Sequence, residues 1–288
     1  MALVPTESAL SPWQIEPREQ GVTATAREVW AHRRFMSFLA VRALRKMYAR
    51  TALGWLWLFI TPLWPVLLRA IVFGGLIGMT GEGIPYFLFL LVGSVLWDFF
   101  ASGLMWGTRG LELHRNVLEH VYLPRVIMPL ATMAPALLDL VLISGVLALA
   151  AVYYLAVDGR MYLTLGAPTL LGLVALLMTT VLAFGIGLFT AVWGETARDA
   201  RFTMGQVLLV WFLLTPILYP MSAVPAHYRP WMLLNPLAAF VETFKWSLLG
   251  VGRFDAFAFG LAVALSVSVV LLGLLFFSRI EVRRADDN

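Results

Sequence analysis

The sequence predicts an all-α, polytopic integral membrane protein: six transmembrane helices, an N-terminal interfacial helix, and a re-entrant helix pair before the last span. Three observations predict it. The chain of 288 residues is 60% hydrophobic and only 13% charged, whereas a soluble domain is nearer half apolar and about a quarter charged. Apolar runs long enough to cross a bilayer recur along it, separated by short polar or Gly/Pro-rich stretches. Finally, Arg42, Arg45, Lys46 and Arg50 abut the first apolar run, the pattern of the cytoplasmic end of a membrane helix.

Residues 1–24 are polar, carry Pro5, Pro12 and Pro17, and lack an apolar central run. They read as a cytoplasmic tail and not as a cleavable signal. Thr25 and Glu28 have capping-box spacing and open a helix over 25–50. Val29, Met36, Val41, Leu44, Met47 and Tyr48 project to one side of it, and Arg34, Arg42, Arg45 and Lys46 to the other. Phe35, Phe38 and Leu39 break this pattern by falling on the charged side. A basic helix bearing Trp and Phe beside a span is expected to lie in the cytoplasmic interface. The alternative is a helix packed on a soluble partner.

The six-span domain occupies 51–279. Span 1 covers 53–78, with kinks expected at Pro62 and Pro65. A Gly/Pro turn over 81–85 leads to span 2, 84–107, and a polar helical stretch follows over 109–122. Span 3, 125–157, is longer than the ~20 residues a bilayer needs. Pro129 and Pro135 imply a bent or partly interfacial start to it. Asp158, Gly159 and Arg160 make a tight turn, and span 4 covers 167–193. A polar loop over 194–201 precedes span 5, 202–219. Residues 220–252 hold Pro220, Pro225, Pro230 and Pro236 and then an apolar run. They are too apolar for a solvated loop and too broken for a crossing, so two short half-inserted helices are expected, covered by protein or lining a cavity. Span 6 covers 254–278, and 280–288 form a charged cytoplasmic tail.

Charge sets the orientation. On one side, Lys and Arg number eight in the N-terminal segment, three in 108–125, two in 194–202 and three after span 6, from Arg279 on, sixteen in all. The other side has Arg160, Arg229, Lys245 and Arg253. This excess places both termini in the cytoplasm. The net charge of +4 sits beside the spans, so it reads as orientation and lipid contact and not as a nucleic-acid surface.

Much chemistry is excluded. There are no cysteines, hence no thiolate metal site and no Cys nucleophile. The two lysines, Lys46 and Lys245, do not follow a glycine, so no Walker A loop is present. HExxH and GxSxG are absent, and His114 and His120 lie six apart, off one helix face. No catalytic or metal constellation and no cofactor site is expected. Work against a gradient would draw on another chain.

Several segments together resemble one family, the membrane subunit of polysaccharide ABC exporters of the Wzm type, which export lipid-linked O-antigen. They are the basic helix with Tyr48, Leu53-Gly54-x-x-Trp57 and Pro62; Pro85-Tyr86, Gly93 and Trp97-x-x-Phe100; and Asn116-Val-Leu118, Tyr122-Leu-Pro124-Arg125 and Pro129. Arg198-Asp199 and Pro216, Tyr219-Pro220, Val224-Pro225 and Leu234-Asn235-Pro236 continue the series. Their shared order spans about residues 35–250. The tail before residue 25 and the charged Asp98 depart from the pattern.

The resemblance implies a homodimer around a central channel in the bacterial inner membrane. It implies two copies of a separate ATPase subunit carrying ATP and Mg, and an undecaprenyl-diphosphate-linked glycan as substrate. It also implies that the stretch over 109–123, with Arg109, Glu112, His114, Arg115 and Glu119, is a coupling helix seated on the ATPase. The alternative for that stretch is a solvated interfacial helix.

Other residues are candidates on their own chemistry. Trp211, Thr215 and Tyr219 recur every four residues in span 5, and Trp57, Thr61 and Trp64 form a similar stripe in span 1. Rings offer flat surfaces to sugar CH groups and hydroxyls offer exchangeable hydrogen bonds, so the stripes suit a glycan path. The alternative is core or interfacial packing. Arg69, within span 1, either binds the lipid diphosphate or bridges to Asp98 or Asp139. Arg42, Arg45, Lys46 and Arg50 are further diphosphate candidates beside plain anchoring. Gly74/Gly78 and Gly103/Gly107 read as close-packing pairs. Glu242 and Lys245 sit three apart, within reach of each other.

The expected function is a half-transporter that extrudes undecaprenyl-linked O-antigen, without an ATPase site of its own. Competing readings are a permease for capsule or teichoic acid polymer or another lipid, and a polytopic membrane glycolipid enzyme.

Overall fold

The computed structural model describes residues 30–48, 53–115, 125–197 and 199–286. Among them the chain runs α1 (Arg33–Tyr48), a 3₁₀ turn Gly54–Leu56, and α2 (Trp57–Arg69), which continues as a π-helical segment Ala70–Leu76. Then come α3 (Tyr86–Thr108), α4 (Gly110–Leu113), α5 (Ile127–Thr132), α6 (Ala134–Asp158), α7 (Ala167–Thr196) and α8 (Asp199–Leu213). A 3₁₀ turn Met221–Ala223, α9 (Arg229–Leu233), α10 (Pro236–Leu249) and α11 (Ala256–Asp286) complete it. Among the described residues five stretches are long and apolar enough to cross a membrane: Trp57–Leu76, Tyr86–Thr108, Ile127–Asp158, Ala167–Thr196 and Ala256–Ile280. The chain is therefore an all-α, multi-pass membrane protein.

The core is built around α3. It is apolar on every side, as a helix enclosed on every side must be, and Leu88 to Trp97 are buried without interruption. It packs on α6, α7 and α10. Small residues let the backbones approach. A Cβ on Gly107 of α3 would lie 3.7 Å from the Gly187 Cα of α7, and one on Gly185 would lie 2.8 Å from the Val270 nitrogen of α11. Gly103 faces Met133, Ala136 and Ala183, so the Gly103/Gly107 pair is a packing seam. The Gly74/Gly78 pair divides instead: Gly74 lies under the Tyr86 ring, and Gly78, at φ +73°, forms the turn after the span.

A second, smaller cluster lies at the end of the bundle that carries α4. Leu39 and Ala43 of α1 are buried there, against α5 and α6. Phe35 packs at its edge, while Val41 is exposed. Of the three residues that broke the helical pattern in the sequence, Leu39 and Phe35 thus dock while Phe38 is exposed, and complete burial of one Leu is worth roughly 1.5–3 kcal/mol. Neither expectation for this helix named a docking surface within its own chain. The expected cap at Thr25 and Glu28, and all of 1–24, lie outside the described residues.

Three boundaries differ from those read in the sequence. α2 runs through Pro62 and Pro65, and the hydrogen-bonding pattern changes only after Arg69, where the π segment begins. The polar loop over 194–201 is mostly helical, because α7 continues to Thr196 and α8 starts at Asp199. Span 5 is not a continuous helix to Tyr219. α8 stops at Leu213, since Pro216 disfavours helix in the residue before it. Its 15 residues reach about 22 Å at 1.5 Å per residue, short of a ~30 Å hydrocarbon core. The bent start of span 3 is present as a break at Met133 between α5 and α6.

The broken backbone after α8 is satisfied by side chains from elsewhere, as buried carbonyls require. Asn235 Nδ2 donates to the Leu214 carbonyl and to Thr215 Oγ1, at 3.3 and 3.0 Å. Tyr86 OH of α3 donates to the Leu218 carbonyl at 2.9 Å. Lys245 Nζ of α10 donates to the Pro216 and Ile217 carbonyls and lies 3.6 Å from the centroid of the Phe89 ring. Lys245 is 1% exposed, so its ammonium is held inside the protein by these acceptors. Glu242 is not its hydrogen-bonding partner. Gly93 of α3 leaves the room: a Cβ there would lie 3.1 Å from Lys245 Cε. Two short helices, α9 and α10, occupy the expected re-entrant region, and α10 is buried against α3, α7 and α11.

Candidate functional site

An aromatic groove lies where α8 ends. Its volume is 800 Å³, and Trp211, Tyr219, Tyr228, Trp231 and Asn235 line it beside Pro225. Trp211 Nε1 donates to Asn235 Oδ1 at 2.9 Å, which fixes the indole against the start of α10. The same Asn235 oxygen caps that helix by accepting from Leu237 N at 3.1 Å. Pro236 at the first helical position fits the start of a helix. Trp231 and Tyr228 remain 72% and 56% exposed, with their rings open to a passing ligand.

The expected stripe of Trp211, Thr215 and Tyr219 is only partly realised. Thr215 is fully buried and donates to the Trp211 carbonyl at 2.9 Å, so it does not face the groove. Tyr219 lies past the helix end and turns back to donate to the Leu213 carbonyl at 2.9 Å. Trp211 and Tyr219 do share the groove, brought together by the chain reversal and not by helical spacing. Sequence spacing missed Tyr228 and Trp231, whose signal was aromatic residues inside a proline-broken segment. Asn235-Pro236 read from the sequence as a helix start, which it is, but the bond from Trp211 to Asn235 was not legible there. In α2 the stripe of Trp57, Thr61 and Trp64 is exposed along its length, with Trp64 63% exposed.

A charged joint ties α2 to α3. Both terminal nitrogens of Arg69 lie 3.2 Å from Asp98 carboxylate oxygens, and Nη1 also reaches Ser94 Oγ at 3.4 Å. The guanidinium carbon stands 4.5 Å from the centroid of the Phe212 ring of α8. Of the two acids considered for a bridge, Asp98 makes it. Asp139 accepts from Ser102 Oγ at 2.6 Å instead. The charged residue that departed from the family pattern is therefore the partner of the other intramembrane charge.

At the end carrying α4, Glu112 pairs with Arg201 at 3.2 Å and Arg125 with Glu195 at 3.8 Å. Arg109 lies over the Trp106 ring at 5.1 Å. Burial, then the nearby Arg201, draw its pKa below the usual arginine value, and Glu112 opposes them. His114 is 1% exposed, with Nδ1 3.1 Å from the Gly110 carbonyl. It is buried within its own chain, which takes it off the exposed docking surface expected for it. Glu112 and Arg115 are exposed. Glu119, and most of the expected coupling helix over 109–123, lie outside the described residues, as do Arg50 and the side chain of Lys46. Arg42 is half-buried on α1 and Arg45 exposed.

Comparison with known proteins places these features. The family model of the ABC-2 type transporter matches residues 35–249, which contain the joint, the aromatic groove and α10. The O-antigen export system permease protein RfbA of Myxococcus xanthus is 25% identical over 224 residues, 76% of this chain and 82% of that protein. The polysialic acid transport protein KpsM of Escherichia coli is 26% identical over 206 residues, 71% of this chain and 77% of that protein. An RfbA of Klebsiella pneumoniae is 23% identical over 245 residues, 84% and 90% of the two chains. The matched residues run from α1 to the end of α10 and make up well over half of the chain, and on that ground the chain belongs to the ABC-2 type transporter family of membrane proteins.

Proposed function

We propose that this chain is the membrane-spanning half of an ATP-driven exporter that moves undecaprenyl-linked O-antigen polysaccharide out of the cytoplasm. The observation that carries the reading is the alignment with an O-antigen export permease over 82% of that protein's length. The aromatic groove supports it, because stacked rings and hydroxyls bind sugars weakly and repeatedly, as a sliding polymer needs. The protein would act as a homodimer in the bacterial inner membrane with both termini cytoplasmic. The α8 segment and the re-entrant region together would then provide the sixth crossing. Two copies of a separate ATPase would bind ATP and Mg and seat on the surface around Glu112, Arg115 and Glu119. No cofactor is assigned to this chain. Arg69 is committed to Asp98, so the lipid diphosphate falls to Arg42 and Arg45, with Lys46 and Arg50.

A capsule polymer is the second reading, favoured by the relatives named for polysialic acid transport. One experiment tests both. The gene is deleted, and surface and intracellular polysaccharides are compared by immunoblot, with co-purification of a Walker-motif ATPase from the complemented strain. Loss of surface O-antigen with intracellular accumulation is expected. Loss of capsule alone selects the second reading. Normal surface glycan of both kinds, with no ATPase recovered, overturns the exporter.

A further inference from the structure

A second cavity lies inside one protomer, at the end of the bundle opposite α4. It holds 540 Å³, within the ~300–1,000 Å³ of small-molecule sites. The turn before α3, α9, α10 and the start of α11 enclose it; Glu82, Arg229, Glu242, Arg253 and Asp255 supply its charged lining, with the hydroxyls of Ser222 and Thr243 beside them.

Most of these groups are already engaged. Ser222 Oγ donates to Glu82. Arg229 donates from Nε to the Val224 carbonyl at 2.9 Å and from Nη2 to the Ser222 carbonyl at 3.1 Å. Asp255 Oδ1 accepts from Phe257 N and Ala258 N, both at 3.0 Å, and so caps α11. Two charged groups are left. Glu242 Oε1 is buried and has no hydrogen-bond partner among the described residues. Arg253 is exposed at the rim, with no ion pair among the described residues. The wall on the Glu242 side is closely built: Gly252 has φ +78°, and a Cβ there would lie 3.2 Å from Glu242 Oε2.

A buried carboxylate oxygen without a donor is costly unless something supplies one. The chemistry left open is one carboxylate acceptor facing inward and one guanidinium donor at the mouth, set among Met221, Met232 and alanines. A hard cation takes several oxygens at once, and among the described residues no three carboxylates or histidines converge closely enough to hold one. The inward carboxylate also repels an anion. Vicinal hydroxyls on a neutral ring match it: they donate to the carboxylate, accept from the guanidinium and lay CH groups on the methionines.

We propose that this cavity, which adjoins the aromatic groove at Met232, is a sugar-binding site of the single protomer that holds a neutral saccharide unit through Glu242 and Arg253. It rests on the reading of the chain as a polysaccharide exporter, since that supplies the glycan.

The test uses the complete complex with its ATPase in lipid nanodiscs. Saturation-transfer NMR titrates methyl α-glucopyranoside, the methyl glycoside of N-acetylglucosamine and, as the anionic case, the methyl glycoside of sialic acid. Saturable binding of a neutral glycoside is expected, weakened at least tenfold by Glu242→Gln and by Arg253→Ala, and unchanged by Arg160→Ala at the distant turn. Arg253 is on the surface, so its variant decides the matter even where Glu242→Gln lowers the yield. Absence of saturable binding, preference for the sialoside, or binding indifferent to both substitutions overturns the site. Those results with normal export in cells leave the exporter standing. Sugar binding lost in the variants, beside unchanged surface polysaccharide on deletion of the gene, sinks the exporter and keeps the site.

Discussion

Arg69 and Asp98, 29 residues apart, meet as a forked ion pair with both guanidinium terminal nitrogens 3.2 Å from carboxylate oxygens. A lone Arg at mid-helix costs roughly 2.5–3.5 kcal/mol on the insertion scale, and the carboxylate offsets that by accepting its hydrogen bonds. Phe212 covers the guanidinium, so the pair also fixes α8 against the α2–α3 joint.

Breaking the pair should therefore be worse than removing it. Arg69→Met or Asp98→Leu alone leaves a charge without its partner, and each should destabilise the complex by about 3–5 kcal/mol. The double variant should recover most of that loss. Thermal denaturation of the purified complex measures the cycle. Additive losses would show that the two residues act independently.

Orientation is testable because the chain has no cysteine. A Cys at Asp158, beside the exposed turn at Gly159, should react with an impermeant maleimide in intact cells. A Cys at Arg115 should react only after permeabilisation. The opposite pattern would reverse the topology and remove α4 from the cytoplasm.

The surface around α4 makes a prediction about the ATPase. The Glu112–Arg201 pair is 28–39% exposed, and such pairs contribute about 0–1 kcal/mol. Glu112→Arg should leave folding intact and place a third guanidinium beside Arg109 and Arg201. ATPase recovery should then fall several-fold, since like charge at a docking surface costs both attraction and register. Glu119→Arg should act in the same direction. The swap Glu112→Arg with Arg201→Glu restores the internal pair. Recovery restored by the swap would mean that the pair only holds α8 in place.

The glycan path can be separated from packing at Trp211. Trp211→Ala and Trp64→Ala should lower export roughly tenfold, the equivalent of ~1.4 kcal/mol, with dimer and ATPase association unchanged. Trp211→Phe keeps a ring and loses the hydrogen bond to Asn235. It should export near the parent rate if the ring is what the polymer meets. Export as low as that of Trp211→Ala would assign the residue to holding α10.

The fold class, the five long spans to within a few residues, and the charge asymmetry were legible in the sequence. Each depends on local composition: a bilayer demands about 20 apolar residues per crossing wherever they fall. Family membership was legible as ordered short motifs, and Gly93 among them turns out to make room for Lys245. What only the tertiary structure decided are the partners. Periodicity places Arg69 inside a span but leaves open whether Asp98 or Asp139 meets it, because that depends on how neighbouring helices are rotated about their axes. It placed Trp211, Thr215 and Tyr219 on one face by assuming a continuous helix. Pro216 ends that helix, and the carbonyls it frees are claimed by Tyr86, Asn235 and Lys245 from distant positions. The same holds for Leu39, which opposes its helix's charge pattern yet docks because α5 and α6 lie beneath it. A hydrogen bond between segments far apart in sequence needs both backbones in position first, and only the folded chain supplies that.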